Sequence, residues 1–219
     1  MTRVKICGIK QKAHALAVAE AGGDFIGLVF APSQRQVTPV QAGKIVSAVK
    51  SHSHAIEVVG VFVNVPAPEV NMIANSCHLD WVQLSSDEPW EYCRQITKPI
   101  IKAVQIRQGQ RPEPIGATLA TGEQMLSSQK HLYLLDSRVE GRYGGTGMTF
   151  DWSLARQVAK RFPVIIAGGL TPENVAQVIE MVAPWGVDVS SGVEVGGIKD
   201  IGKIRAFIEA VRRTDGSRR

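Results

Sequence analysis

The chain has 219 residues, 44% of them hydrophobic, enough for one full core but cramped for a second independent domain. No apolar run approaches the ~20 residues that span a bilayer, residues 1–7 are too short and polar for a signal peptide, and three cysteines without paired spacing argue against a disulfide framework, so a cytoplasmic protein is expected. The net charge of +5 comes partly from Arg212, Arg213, Arg218 and Arg219, read as belonging to a solvated terminus, and no basic stripe interleaved with aromatics points to nucleic acid.

In chain order, residues 4–7 read as a strand ending at Gly8, and residues 12–21 as a helix closed by Gly22-Gly23. Residues 25–30 form a second apolar run. A loop through Arg35 follows, and Thr38-Pro39 opens a helix with a cap and a proline at its first position. Strands are expected at 56–63, 79–84 and 99–104, with helices at 66–76 and 88–97. From 105 to 122 the signals blur. Pro112, Pro114, Gly109 and Gly116 suggest a long connection, leaving the fifth helix short or irregular, near 121–128. Residues 131–135 form the sixth strand, which turns polar at Asp136. Next come the glycine-rich run Gly144-Gly145-Thr146-Gly147 and a helix over 152–161 that Asp151 can cap. The seventh strand, 163–167, ends in Gly168-Gly169, and Thr171-Pro172 opens a helix. The eighth, 185–189, leads to Ser190-Ser191-Gly192 and a last helix over 200–212.

Strand–helix alternation asks for a parallel sheet. Eight units in this length fit a single α/β domain over 1–212, a (β/α)₈ barrel of the TIM type, with a basic, flexible tail over 213–219. A doubly wound open sheet is the alternative, but Cys7-Gly8-Ile9-Lys10 is no dinucleotide fingerprint.

In such a barrel the chemistry lies at the carboxyl ends of the strands. Those ends offer Cys7, Arg35 beyond strand two, Gln83, Asp136, Gly168-Gly169 and Asp188 followed by Ser190-Ser191-Gly192. Glycines after adjacent strands seven and eight let backbone N–H groups approach an anion, and the serines add hydroxyl donors, so a phosphate cradle is expected there. None of the five histidines falls at a strand's carboxyl end, so no metal site is expected. Side chains alternate along a strand, so Cys7 shares a face with Lys5 and Arg3. If that face is inward, Lys5 should stabilise a Cys7 thiolate. Lys5, Lys102 and Asp188 are all expected to point inward, with Lys5 paired to Asp188 because strands eight and one adjoin in a closed barrel.

The segments Lys5-Ile-Cys-Gly-Ile9, Val59-Gly-Val-Phe62, Leu134-Leu-Asp136, Gly144-Gly-Thr-Gly147 with Phe150-Asp-Trp152, Ala167-Gly-Gly-Leu170 and Asp188-Val-Ser-Ser-Gly-Val-Glu194 together resemble phosphoribosylanthranilate isomerase, nearly end to end. The resemblance implies a (β/α)₈ barrel of tryptophan biosynthesis that performs an Amadori rearrangement of N-(5-phosphoribosyl)anthranilate to the 1-deoxyribulose 5-phosphate isomer. It implies a small-molecule substrate and no cofactor, while the composition itself leads to no nucleic-acid or membrane partner being expected. It further implies Cys7 as general base, Asp136 as general acid, and Arg35 as the residue that packs on or pairs with the anthranilate. Gly145, Gly168, Gly169, Ser190, Ser191 and Gly192 become phosphate and loop contacts, and Asp188 a polar contact near the sugar. One departure is visible: Gln83-Leu84-Ser85-Ser86 stands where the family has Gln-Leu-His-Gly. Two alternatives remain open, a histidine-pathway aminoaldose isomerase, which uses aspartate where Cys7 stands, and a non-catalytic phosphosugar-binding barrel. The sequence does not choose between a monomer and a homodimer.

Overall fold

The structure, a computed structural model, describes residues 1–53, 55–107, 109–137 and 152–218. Eight strands close a barrel in chain order: β1 (Arg3–Cys7), β2 (Phe25–Val29), β3 (Glu57–Phe62), β4 (Trp81–Leu84), β5 (Ile100–Ile106), β6 (His131–Ser137), β7 (Val164–Ala167) and β8 (Gly186–Val189). The β1–β2 and β1–β8 pairings are both parallel, so the barrel has no free edge. Among the described residues the α-helices are α1 (Lys12–Glu20), α2 (Pro39–His52), α3 (Ala67–Ser76), α4 (Trp90–Cys93), α5 (Pro112–Met125), α6 (Trp152–Ala159), α7 (Val175–Val182) and α8 (Ile201–Ser217). A hairpin of β9 (Glu194–Val195) and β10 (Ile198–Lys199) lies between β8 and α8.

Both faces of each strand are covered, which is why the strands read as near-continuous apolar runs. Phe25, Val59, Trp81, Ile101, Leu132, Leu134, Ile165 and Ala167 form the inner cluster. Their alternate neighbours, Ile26, Val58, Val82, Ile100, Leu135, Ile166 and Val187 among them, pack outward against the helices. Each such aliphatic side chain removed from water contributes roughly 1.5–3 kcal/mol. This alternation decides which polar residues reach the mouth, because Cys7, Gln83, Asp136 and Asp188 fall on the inward parity of their strands.

Four expectations are corrected. The fifth helix is neither short nor irregular. It starts at Pro112, after Arg111 at the N-cap position, and Pro112 and Pro114 occupy the first turn, whose N–H groups have no intrahelical partner. Ile115, Leu119 and Gly122 then form its buried stripe. By contrast, α4 is one turn, from Trp90 to Cys93, and Glu88 is left outside it. The basic terminus does not fray at 213, since α8 continues to Ser217. Thr214 is buried there, and the Asp215 carboxylate accepts from the Thr2 N–H at 2.6 Å and hydroxyl at 2.8 Å. Lys102 does not point into the barrel. It takes the outward parity of β5 and pairs with Glu88 at 2.7 Å.

Candidate active site

Cys7 ends β1 on the inner face, beside Gly27 of β2, its partner in register. A Cβ on Gly27 would lie 2.8 Å from the Cys7 sulfur and 3.2 Å from Lys5 Nζ, so the absent side chain is what makes room for both. Lys5 is 1% exposed, and its ammonium donates to Asp188 Oδ1 at 2.9 Å, as expected from strand adjacency. Its charge also acts on the Cys7 side chain, which shares its strand face. The pairing with Asp188 and Cys7 outweighs burial and raises the Lys5 pKa, so this ammonium keeps its proton.

The expected lowering of the thiol pKa does not follow. Burial pushes the Cys7 thiol up, and Asp188 adds to it, while Lys5 and Lys199 pull in the other direction without prevailing. Desolvation of a thiolate in an enclosed wall exceeds what one nearby ammonium returns, the more so when that ammonium already faces a carboxylate.

Asp136, half-buried, is the last but one residue of β6 and continues the inward column of Leu132 and Leu134. It stands in register with Gln105 of β5 and Ala167 of β7. Asp188 spends Oδ1 on Lys5, so its first role is to hold that cation. Arg35 leaves the β2 loop and runs its stem over Gly8, where a Cβ would meet Arg35 Cδ at 2.5 Å and where φ is +80°. Its guanidinium is bidentate to Glu194, Nε to Oε1 and Nη2 to Oε2, both at 2.7 Å. Glu194 also takes Lys199 Nζ at 2.5 Å, and the two cations hold its carboxyl below the usual range.

The loops that follow β7 and β8 touch each other. Gly168 and Gly169 both take positive φ, +94° and +66°. A Cβ on Gly192 would fall 1.9 Å from the Leu170 carbonyl oxygen, so only glycine lets the two loops touch. Ser191 and Gly192 open a single 3₁₀ turn, and the Ser190 hydroxyl donates to the Cys7 carbonyl at 3.2 Å. Lys199 Nζ donates to the Ser190 carbonyl at 3.0 Å. Gly145, with the rest of the 144–147 run and Asp151, lies outside the described residues. Among the described residues no group of three or more His, Cys, Asp or Glu side chains is arranged to hold a metal, and no helix is long and apolar enough to cross a membrane.

Beyond β4, the Gln83 amide donates to the Ser85 hydroxyl at 2.9 Å, and Ser86 donates its N–H to Glu88 at 3.0 Å. Gln83 Oε1 is buried without a partner among the described residues. A cavity of about 660 Å³ opens to the side, lined by Ser86, Trp90, Lys102, Gln105, Arg107 and Thr118. It excludes Cys7 and the β7 and β8 loops, and adjoins the mouth through Gln105, the register neighbour of Asp136.

The family profile described as N-(5'phosphoribosyl)anthranilate (PRA) isomerase matches residues 4–210. The chain belongs to this isomerase family. An N-(5'-phosphoribosyl)anthranilate isomerase of Dehalococcoides mccartyi is 44% identical over 218 residues, covering 100% of this chain and 99% of its own. One from Roseiflexus castenholzii is 46% identical over 215 residues, covering 95% and 97%. The crystal structure of phosphoribosyl anthranilate isomerase from Thermotoga maritima covers 97% of this chain and 100% of its own, with TM-score 0.85 and 38% identity. Another, solved in complex with reduced 1-(o-carboxyphenylamino)-1-deoxyribulose 5-phosphate, covers the same shares with TM-score 0.81 and 36% identity. The protein is thus an enzyme, an isomerase of tryptophan biosynthesis on a TIM barrel.

Two charged residues packed around Arg35, Glu194 and Lys199, were given no role from the sequence. They sit on strands of two residues each, too short for any periodicity, and both are charged residues that by pattern alone belong on a solvated hairpin. The available signal was the Gly196-Gly197 pair, whose φ values of +58° and +81° close a tight hairpin and bring Glu194 opposite Lys199.

Proposed function

We propose that this chain converts N-(5'-phosphoribosyl)anthranilate to 1-(2-carboxyphenylamino)-1-deoxyribulose 5-phosphate, with Asp136 as general acid and Cys7 as general base. The observation that carries this reading is the common parity of the two groups. A thiol at the last residue of β1 and a carboxyl one residue short of the end of β6 both lie on the inward parity of one barrel, above an apolar floor.

The protonated Asp136 carboxyl gives its proton to the ribose ring oxygen. The C1–O bond breaks toward that oxygen, and the nitrogen lone pair forms the C1=N bond of a protonated Schiff base. That cation acidifies C2–H. The Cys7 thiolate takes this proton, and the electron pair becomes the C1=C2 bond of an enolamine. Tautomerisation puts a proton on C1 and leaves the ketone at C2, so the net change is an isomerisation. Acid and base act on neighbouring atoms, and anchoring the phosphate at Gly168, Gly169, Ser190, Ser191, Gly192 and Gly145 holds those atoms between them. The backbone geometry of the β7 and β8 loops supports this cradle, and Arg35 suits the anthranilate end. The thiolate of a thiol raised by burial is scarce at neutral pH but a stronger base once formed, which offsets part of its rarity.

The test is turnover of the fluorescent anthranilate conjugate. Cys7→Ser and Asp136→Asn should each lower kcat on the order of 10²–10⁴-fold with little change in KM. Turnover near wild type in either variant removes the assignment.

A further inference from the structure

Arg35 presents five N–H donors in a planar fork. Glu194 occupies one edge, Nε and Nη2. Among the described residues Nη1 makes no hydrogen bond, so the Nη1–Nη2 end of the fork remains open to a second carboxylate. Glu194 is in turn fixed from behind. Its side chain is 6% exposed, its Oε1 is shared between Arg35 and Lys199, and Lys199 is 2% exposed. Two cations surround one carboxylate, leaving one positive charge in excess where the site opens, whereas Lys5 and Asp188 balance each other.

We propose that Glu194 is a positioning residue for Arg35. It holds the guanidinium by one edge and turns the other end toward the carboxylate of the substrate's aromatic ring. Through Lys199 it ties that recognition to the Ser190 loop that flanks Cys7. Without Glu194, Arg35 swings on its flexible stem and meets the carboxylate in fewer of its conformations. The effect belongs to binding, because the carboxylate is remote from the bonds that change. The inference rests on the isomerase reading above, and the experiment separates the two.

Glu194→Gln is compared with wild type on two substrates, phosphoribosylanthranilate and phosphoribosylaniline, which lacks the carboxylate. On the first, KM should rise about 10- to 100-fold, the worth of a charge-assisted hydrogen bond, with kcat within about threefold. On the second, wild type and variant should have the same KM. Glu194→Asp keeps the charge beside Lys199 and withdraws the carboxylate by one methylene. It should melt with wild type and still raise KM for phosphoribosylanthranilate alone. An equal rise on both substrates, or an unchanged KM on the first, overturns the role of Glu194 while leaving the isomerase reading in place. Absence of wild-type turnover on phosphoribosylanthranilate overturns that reading and, with it, the inference.

Discussion

Asp188→Asn removes the charge that Lys5 faces and keeps a carbonyl in its place. The wild-type pair is 2.9 Å apart, with side chains 1% and 9% exposed. Removing one partner of a buried pair leaves an ammonium that neither water nor protein compensates, at a cost of about 3–5 kcal/mol. Against a total stability of roughly 5–15 kcal/mol, that is a large share. Replacing both residues is different. Lys5→Met with Asp188→Leu fills the same wall with apolar groups and should recover most of the loss. Urea unfolding of wild type, both single variants and the double variant at neutral pH gives the coupling. The alkaline limb supplies an independent check. The folded pKa of Lys5 is raised above 10.5, so the pair's contribution is complete below the unfolded lysine pKa and is lost as pH climbs through the folded one. The stability gap between wild type and Lys5→Met should therefore hold from neutrality to about pH 10 and close above it. A loss under ~1 kcal/mol for Asp188→Asn, or a gap that closes near pH 7, refutes this account of the wall.

Burial raises the Cys7 thiol pKa, so the thiolate grows in as pH climbs. The rate at which iodoacetamide alkylates Cys7 should lag behind that of a free thiol at pH 7 and rise through the neutral range and past pH 9. A flat profile between pH 7 and 9 contradicts it. Gly27→Ala drives a methyl to 2.8 Å from the Cys7 sulfur and 3.2 Å from Lys5 Nζ. It should cost about 1–3 kcal/mol by urea unfolding and lower kcat, because the displaced atoms are those of the base and its neighbour. Unchanged kcat in a variant with that loss of stability counts against Cys7 as the base.

Much of the architecture was legible because each strand is a short apolar run punctuated by glycine, proline or a cap. The Lys5–Asp188 pair was legible from two rules together, side-chain parity and closure of the barrel, which makes β8 and β1 neighbours. The same parity rule misled at Lys102. A strand apolar on both faces carries no internal sign of which parity is inward, and Ile100-Ile101-Lys102 reads the same either way. For α5, two prolines looked like breakers because their position in the first turn is only known once the helix start is known. The terminus looked like a solvated tail because its contacts, such as Asp215 with Thr2, join residues 213 positions apart.

The thiol shows the deeper reason for the remaining misses. A sequence reveals which charges stand near a group, and Lys5, two residues from Cys7 on the same face, argues for a lowered pKa. It does not reveal how much water the fold removes, and here that loss outweighs the lysine. The two effects have a common origin. Gly27 lets Lys5 and Cys7 approach, and the same close packing seals both from solvent. A site that brings its base near a cation by burying both cannot avoid this opposition. The excess cation at Arg35, Glu194 and Lys199 lies nearer the opening, and Arg35 is 23% exposed. It can offset the substrate's negative charge as that substrate enters without first being desolvated in full. Charge balanced inside and unbalanced at the rim is the distribution that lets an anionic substrate in while the base stays dry.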